Sequence, residues 1–379
     1  MNRGVEAAIG VRRGALGAAI AGSLLTAMAY WLDRPHIFQS WLSAWLFFLG
    51  IALGSMANVM IHELTGGAWG FAIRRPAEAA MATLPMLAIL SLPLALGLGD
   101  LYPWVHEGSG PRHWYLNTAA FETRTIIYFA LWLGVSGALI RYWRAGSTNA
   151  AKTPLPPRPA LRRLCIAGLL IYALTMTLAA VDWIMSLSAD WHSTTFGLLI
   201  MVGQSMSGFA FAVACAVFAG YLRDGSTDAA QHARDLGNLL LTLVMLWAYL
   251  AFTQFLIIWA EDLPAEIGWY IPRAEPKWRA LAIAVLALQF AVPVLAMLFR
   301  SFKRSPRRLG LLCAIVLVGH WGELLWLVAP PSRAQGPALR WTDLAATLAI
   351  GGFWLARLLS RLADPRFARS SDAAIARHG

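Results

Sequence analysis

ALAIAVLALQFAVPVLAMLF, residues 280–299, runs without a charged side chain between Arg279 and Arg300. A helix rising about 1.5 Å per residue needs about 20 such residues to cross a hydrocarbon layer of roughly 30 Å, so this stretch has the length and composition of a transmembrane helix. Working outward, comparable apolar stretches lie near residues 11–31, 37–61, 79–98, 121–143, 164–187, 194–222, 236–260, 278–302, 309–330 and 341–362. The chain is 58% hydrophobic and 13% charged, where a soluble chain would carry about 25% charged residues. The reading is therefore an all-α, polytopic membrane protein of about ten helices, with residues 1–379 forming a single membrane domain.

The net charge of +11 does not mark a nucleic-acid binder, because the basic residues are not gathered on one soluble face. They are split unequally between the two sides of the membrane. The N-terminus (Arg3, Arg12, Arg13), Arg74 and Arg75, the stretch Arg141 to Arg163, Arg223, Arg234, Arg300 to Arg308 and the tail Arg357 to Arg377 share one side. About 23 of the 31 Lys and Arg fall there, and the positive-inside rule makes that side cytoplasmic. An even helix number then puts both termini in the cytoplasm of a bacterial inner-membrane protein. The basic rim suits anionic lipid headgroups.

Residues 14–32 follow Arg12 and Arg13, as a secretory signal would. The run is long enough to span, however, and ends in Tyr30, Trp31, Asp33 and Pro35 rather than at a small-residue cleavage site, so it reads as the first helix. Cys165, Cys215 and Cys313 stand singly in apolar stretches, which disfavours covalent haem, iron–sulfur clusters and zinc in this chain. The Pro-rich stretch 145–159 reads as an extended cytoplasmic linker between the fourth and fifth helices. Trp31, Trp104, Trp114, Trp183, Trp191, Trp259, Trp269, Trp278 and Trp341 fall near periplasmic helix ends, as interfacial anchors would.

Some segments are more specific. His62-Glu63-Leu64-Thr65-Gly66-Gly67-Ala68-Trp69-Gly70 follows the second helix as a cytoplasmic loop, continuing through Ile73-Arg74-Arg75 and Glu78 to Thr83-Leu84-Pro85. Leu101-Tyr102-Pro103-Trp104, Asp182-Trp183-Ile184-Met185-Ser186-Leu187 and Asp190-Trp191-His192-Ser193-Thr194 come next. The last are the stretch from Trp247 to Trp259, Leu263-Pro264 and Glu266-Ile267-Gly268-Trp269-Tyr270. From about Trp45 to about Pro330 these segments resemble the ActF-type membrane subunit of alternative complex III, the quinol:cytochrome c oxidoreductase of the NrfD-like group. The resemblance implies two four-helix bundles with two flanking helices. It also implies a place beside a second NrfD-like membrane subunit, with multihaem cytochrome c and iron–sulfur subunits carrying the haem and the clusters. In that family the quinol site is better supported on the partner subunit, and a proton path is attributed to this type. Glu63 stands where the family often has a second His, and Glu261-Asp262 where it has Gly-Asn.

An ionisable residue within a spanning helix is costly and so a candidate for function. His320 lies near the middle of its helix, and Glu323, three residues on, shares its face, so the two can exchange a proton; the bland alternative is a helix–helix contact. Gln204 lies at mid-depth, and Asp182 and Gln254 lie towards the periplasmic ends, so they could extend a path outward. Asn58, His62, Glu63 and Glu78 lie at the cytoplasmic end and could begin one. For Glu63 and Glu78 a solvated face paired with Arg74 and Arg75 is the plainer reading, while His62 at the headgroup level could bind a quinone carbonyl. Gly66 and Gly67 read as turn formers. Pro85, Pro93 and Pro293 should kink their helices.

Two other functions compete. A secondary transporter would hold a solute at the midplane, with interruptions matched between halves; those here do not pair. A b-type cytochrome needs facing pairs of His, and only His320 is deep.

Overall fold

A computed structural model of the chain describes residues 2–106, 114–148, 158–188, 191–220, 222, 227–331, 333, 336 and 340–364. Ten helices are long and apolar enough to span: α1 (Ile9–Leu32), α2 (His36–Thr65), α3 (Trp69–Leu96), α4 (Thr118–Trp143), α5 (Pro159–Leu187), α6 (Phe196–Phe218), α7 (Ala230–Glu261), α8 (Pro276–Leu298), α9 (Pro306–Val328) and α10 (Trp341–Leu362). There is no strand among the described residues. The chain is an all-α, multi-pass membrane protein.

Helices α2–α5 form one four-helix group and α6–α9 a second, with α1 and α10 paired at the flank. The groups meet where α2 crosses α6, and glycine sets how closely. A Cβ on Gly54 would fall 1.7 Å from the Gln204 carbonyl oxygen, and one on Gly208 would fall 2.4 Å from the Ser55 amide nitrogen. The two backbones touch there, which is how membrane helices gain van der Waals contact without a hydrophobic drive. Gly22 of α1 abuts Ala345 and Ala349 of α10, while Gly352 of α10 abuts Ala15 and Ala19. Ascending α1 thus meets descending α10, so the two are antiparallel and their terminal ends share one face of the molecule.

Paired charges sit inside two of the helices. Helix α3 begins at Trp69 rather than near residue 79, so Arg74, Arg75 and Glu78 lie in a helix and not in a loop. Arg74 Nε donates to Glu78 Oε1 at 2.6 Å, and its Nη1 lies 2.7 Å from Glu63 Oε1, off-axis for a hydrogen bond. Arg74 and Glu78 are buried, which corrects the solvated-face reading. Helix α4 opens at Thr118, three uncharged residues before the apolar run, and Arg124 within it is paired with Asp182. Between α2 and α3 only residues 66–68 remain, with Gly66 and Gly67 at φ of 73° and 98°, a conformation that glycine adopts without strain.

The prolines act as the sequence implies. Helix α3 breaks into Trp69–Met81, Leu84–Ile89 and Leu92–Leu96, with Pro85 and Pro93 in the first turns of the last two pieces. In α8 a π turn over Ala287–Ala291 precedes Pro293. The tryptophans divide. Trp31, Trp114, Trp259 and Trp341 are exposed as anchors should be, whereas Trp104, Trp183, Trp191, Trp269 and Trp278 are buried. These five are core packing instead; Trp191, for example, stacks on Trp269 at 4.4 Å between centroids. The Pro-rich linker falls largely on 149–157, outside the described residues, as do Asp190, Arg223 and the basic tail beyond Asp364; the helices on either side of it run to Thr148 and from Arg158.

Candidate functional site

His320 and Glu323 lie on one face of α9 and are 4% and 6% exposed. His320 Nδ1 is 2.8 Å from Glu323 Oε2. Two further donors converge on the carboxylate from other helices: Trp247 Nε1 of α7 on Oε1 at 2.8 Å, and Gln289 Nε2 of α8 on Oε2 at 3.1 Å. Gln289 belongs to the π turn, and a Cβ on the facing Gly319 would fall 2.7 Å from its Cγ. The extra residue of a π turn re-aims a side chain, and here Gln289 is turned onto Glu323.

The other imidazole nitrogen, Nε2, is buried without a protein partner, as is Gln289 Oε1. A cavity of about 10 Å³ between α6 and α9 is lined by Gly203, Gln204, His320 and Glu323, room for about one water. A Cβ on Gly50 of α2 would fall 3.3 Å from Gln204 Cγ and 3.7 Å from His320 Nε2, so this glycine leaves open the space that Gln204 and His320 share. Gln204 Oε1 in turn accepts from Tyr172 of α5 at 2.8 Å.

His320, Glu323 and Gln204 are thus brought together. On the termini side, Gly50, Gly54, Asn58 and His62 recur every fourth residue of α2 and so share a face. Asn58 exchanges hydrogen bonds with Ser205 of α6. His62 Nε2 is 2.9 Å from the Gly67 carbonyl, its ring lies edge-on to Trp69 and Phe71, and a Cβ on Gly70 would strike the imidazole. Glu78 sits with Arg74 and Glu63, one cation between two carboxylates, with the guanidinium over the Trp143 ring at 4.8 Å.

On the opposite side the predicted residues separate. Gln254 lies seven residues from Trp247 on α7, on the same face, beside the Tyr270 phenol. Burial pushes that phenol up to about 12. Next to it Arg273 donates to the carbonyls of Trp269, Trp326 and Leu327 and lies over the Trp269 ring, closing the end of α9; burial pulls the guanidinium down to about 9. Asp182 does not join this group. It takes Arg124 on both oxygens at 2.8 and 2.9 Å and the Tyr128 hydroxyl at 2.7 Å, so both oxygens are engaged.

Sequence reasoning missed Gln289, Trp247 and Tyr172. Gln289 carries one retrievable signal, a single amide in an otherwise unbroken apolar run. No protein-family model and no curated protein matches the chain. No group of three or more His, Cys, Asp or Glu placed to hold a metal ion occurs among the described residues.

Proposed function

We propose that this chain is an ActF-type membrane subunit of an alternative complex III, a quinol:cytochrome c oxidoreductase, in the bacterial inner membrane with both termini cytoplasmic. Its part is to conduct protons through His320 and Glu323. The motif resemblance supports the complex, and the charge asymmetry supports the orientation. The observation that carries the proton reading is the buried His320–Glu323 hydrogen bond, with His320 Nε2 unpartnered and a water-sized cavity lined by both residues.

The chemistry follows from the two ring nitrogens. A proton arriving at Nε2 from the cavity lets Nδ1 release its own to Glu323, so the imidazole relays charge without moving. Trp247 and Gln289 hold the carboxylate in place. The cytoplasmic leg runs along the α2 face from the Glu63, Arg74 and Glu78 group past His62 and Asn58. The periplasmic leg runs by Gln254 and Tyr270, and Asp182 is left out of it.

The reading places no quinone headgroup on this chain. What supports it is that His62 is enclosed by Trp69, Phe71 and Gly70, and that a large apolar cavity, described below, keeps only the Thr125 hydroxyl proton as a free donor. Quinol oxidation is therefore assigned to the second NrfD-like subunit, and the haem and iron–sulfur centres to the multihaem cytochrome c and iron–sulfur partners. A transporter is less well supported: the interrupted helices, α3 and α8, are second and third in their respective groups and do not match.

Co-purification in mild detergent tests the assignment. The chain should bring down a second NrfD-like subunit together with haem- and iron–sulfur-bearing proteins, and should be colourless alone. Purification as a haem-bearing, active oxidoreductase without partners would contradict it.

A further inference from the structure

A large cavity lies in the half of the first bundle away from the termini, between the broken outer part of α3 and α4, with a volume of about 550 Å³. Its origin is in the sequence. Pro93 restarts α3 after a break at Leu90–Ser91, and the end of the helix is drawn onto α2, where a Cβ on Gly97 would fall 2.3 Å from the Phe38 ring. The space left beside α4 is walled by Leu92, Leu98, Phe121, Phe129 and the buried indoles of Trp45 and Trp183. It falls within the spans, so the medium beside it is hydrocarbon, and it has the size of a ligand pocket.

Its polar groups are already used. Trp45 Nε1 donates to the Leu87 carbonyl, Tyr102 Oη to the Trp183 carbonyl, Ser91 Oγ to the Ala88 carbonyl and Trp183 Nε1 to Thr125 Oγ1. Only the Thr125 hydroxyl proton remains uncommitted. A quinone ring, whose two carbonyls require donors, would have at least one of them buried unsatisfied here, whereas a hydrocarbon chain requires none. At the mouth, in the first turns of α4, stands Glu122, an exposed carboxylate with no ion pair among the described residues. Arg124, two residues on, is engaged with Asp182.

We propose that this cavity holds an acyl chain of a phospholipid with an amine headgroup, drawn from the leaflet opposite the termini, its ammonium beside Glu122. The proposal is independent of the proton path and of the assignment to a respiratory complex.

Photolabelling tests it. The full-length chain is reconstituted in phosphatidylglycerol vesicles doped with phosphatidylethanolamine bearing a diazirine midway along one acyl chain, irradiated, and mapped by peptide mass. Label should concentrate in residues 88–98 and 121–133 over the lipid-facing surface of α7, and excess phosphatidylethanolamine should displace it. Ala95→Phe with Ala130→Phe, which fill the cavity from its open side, should reduce label there roughly tenfold while label on α7 stays constant. Glu122→Gln should lower the preference for ethanolamine over glycerol headgroups by roughly two- to fivefold. The proposal is overturned by label spread evenly over α4 and α7, by displacement with a short-chain ubiquinone as effective as with the phospholipid, or by equal labelling from phosphatidylglycerol. The competition uses the unaltered chain, so it decides the matter even if the filled variant misfolds.

Discussion

His320 Nδ1 and Glu323 Oε2, 2.8 Å apart on one face of α9, form a hydrogen bond wholly inside the helix bundle. Four other helices close around the pair: α2 supplies the gap at Gly50, α6 the amide of Gln204, α7 the indole of Trp247 and α8 the amide of Gln289. An intramembrane charge costs roughly 2.5–3.5 kcal/mol even on mild insertion scales. The three donors on Glu323 show how that cost is offset.

The crossing of α2 and α6 depends on Gly54. A Cβ there would sit 1.7 Å from the Gln204 carbonyl oxygen, so Gly54→Ala must push the helices apart. It should destabilise by about 1–3 kcal/mol, the usual range for overpacking. Gly134, with nothing within 4 Å of a Cβ, is the control, and Gly134→Ala should be neutral or slightly stabilising. Thermal unfolding in detergent compares them; equal midpoints would mean the crossing is looser than described.

The proposed path leaves Asp182 out, as a structural ion pair. Its carboxylate is fully buried, with both oxygens taken by Arg124 and one also by Tyr128. Removing one partner of such a pair costs roughly 3–5 kcal/mol, so Asp182→Asn should lower the unfolding midpoint and the yield. In whatever assembles, the proton-to-quinol ratio should be that of the unaltered protein. A lowered ratio at full stability would place Asp182 in the path after all.

Tyr270 should titrate late. Burial lifts its phenol to about 12 from an ordinary value near 10, because the folded state keeps the neutral form. Above the ordinary value the unfolded chain ionises while the folded one does not, so folding binds more protons there and stability falls as pH rises. The Tyr270 contribution is complete below about pH 10 and is lost on approach to about pH 12. Comparing phenolate absorbance of the unaltered chain and Tyr270→Phe should remove a late-titrating tyrosine; loss of one titrating near 10 would show that Tyr270 is solvated.

The helices were legible because lipid allows few exceptions. A run such as 280–299 can only be buried, and pairing explains the two places where charge entered a helix, Arg74 with Glu63 and Glu78, and Arg124 with Asp182. The His320–Glu323 pair was legible because three residues along a helix is a contact in itself. Gln289 and Trp247 were not, since they lie 34 and 76 residues from Glu323 in sequence and reach it only through a π turn and a bundle seam. The tryptophans misled for a related reason: position near a helix end is shared by anchors and by core residues, and only the facing helix tells Trp31 from Trp183.

The most direct measurement of the central claim is proton translocation per quinol oxidised by the assembled complex reconstituted in vesicles, with Glu323 replaced by Gln. The substitution keeps the size of the side chain and an oxygen for the Trp247 donor but removes the titrating proton. Quinol oxidation should persist at a rate near that of the unaltered complex while coupled proton movement falls by at least roughly tenfold, the scale of loss when a positioned acid–base group is removed. Unchanged proton movement in a fully assembled Glu323→Gln complex would contradict the account and make the pair a helix–helix contact.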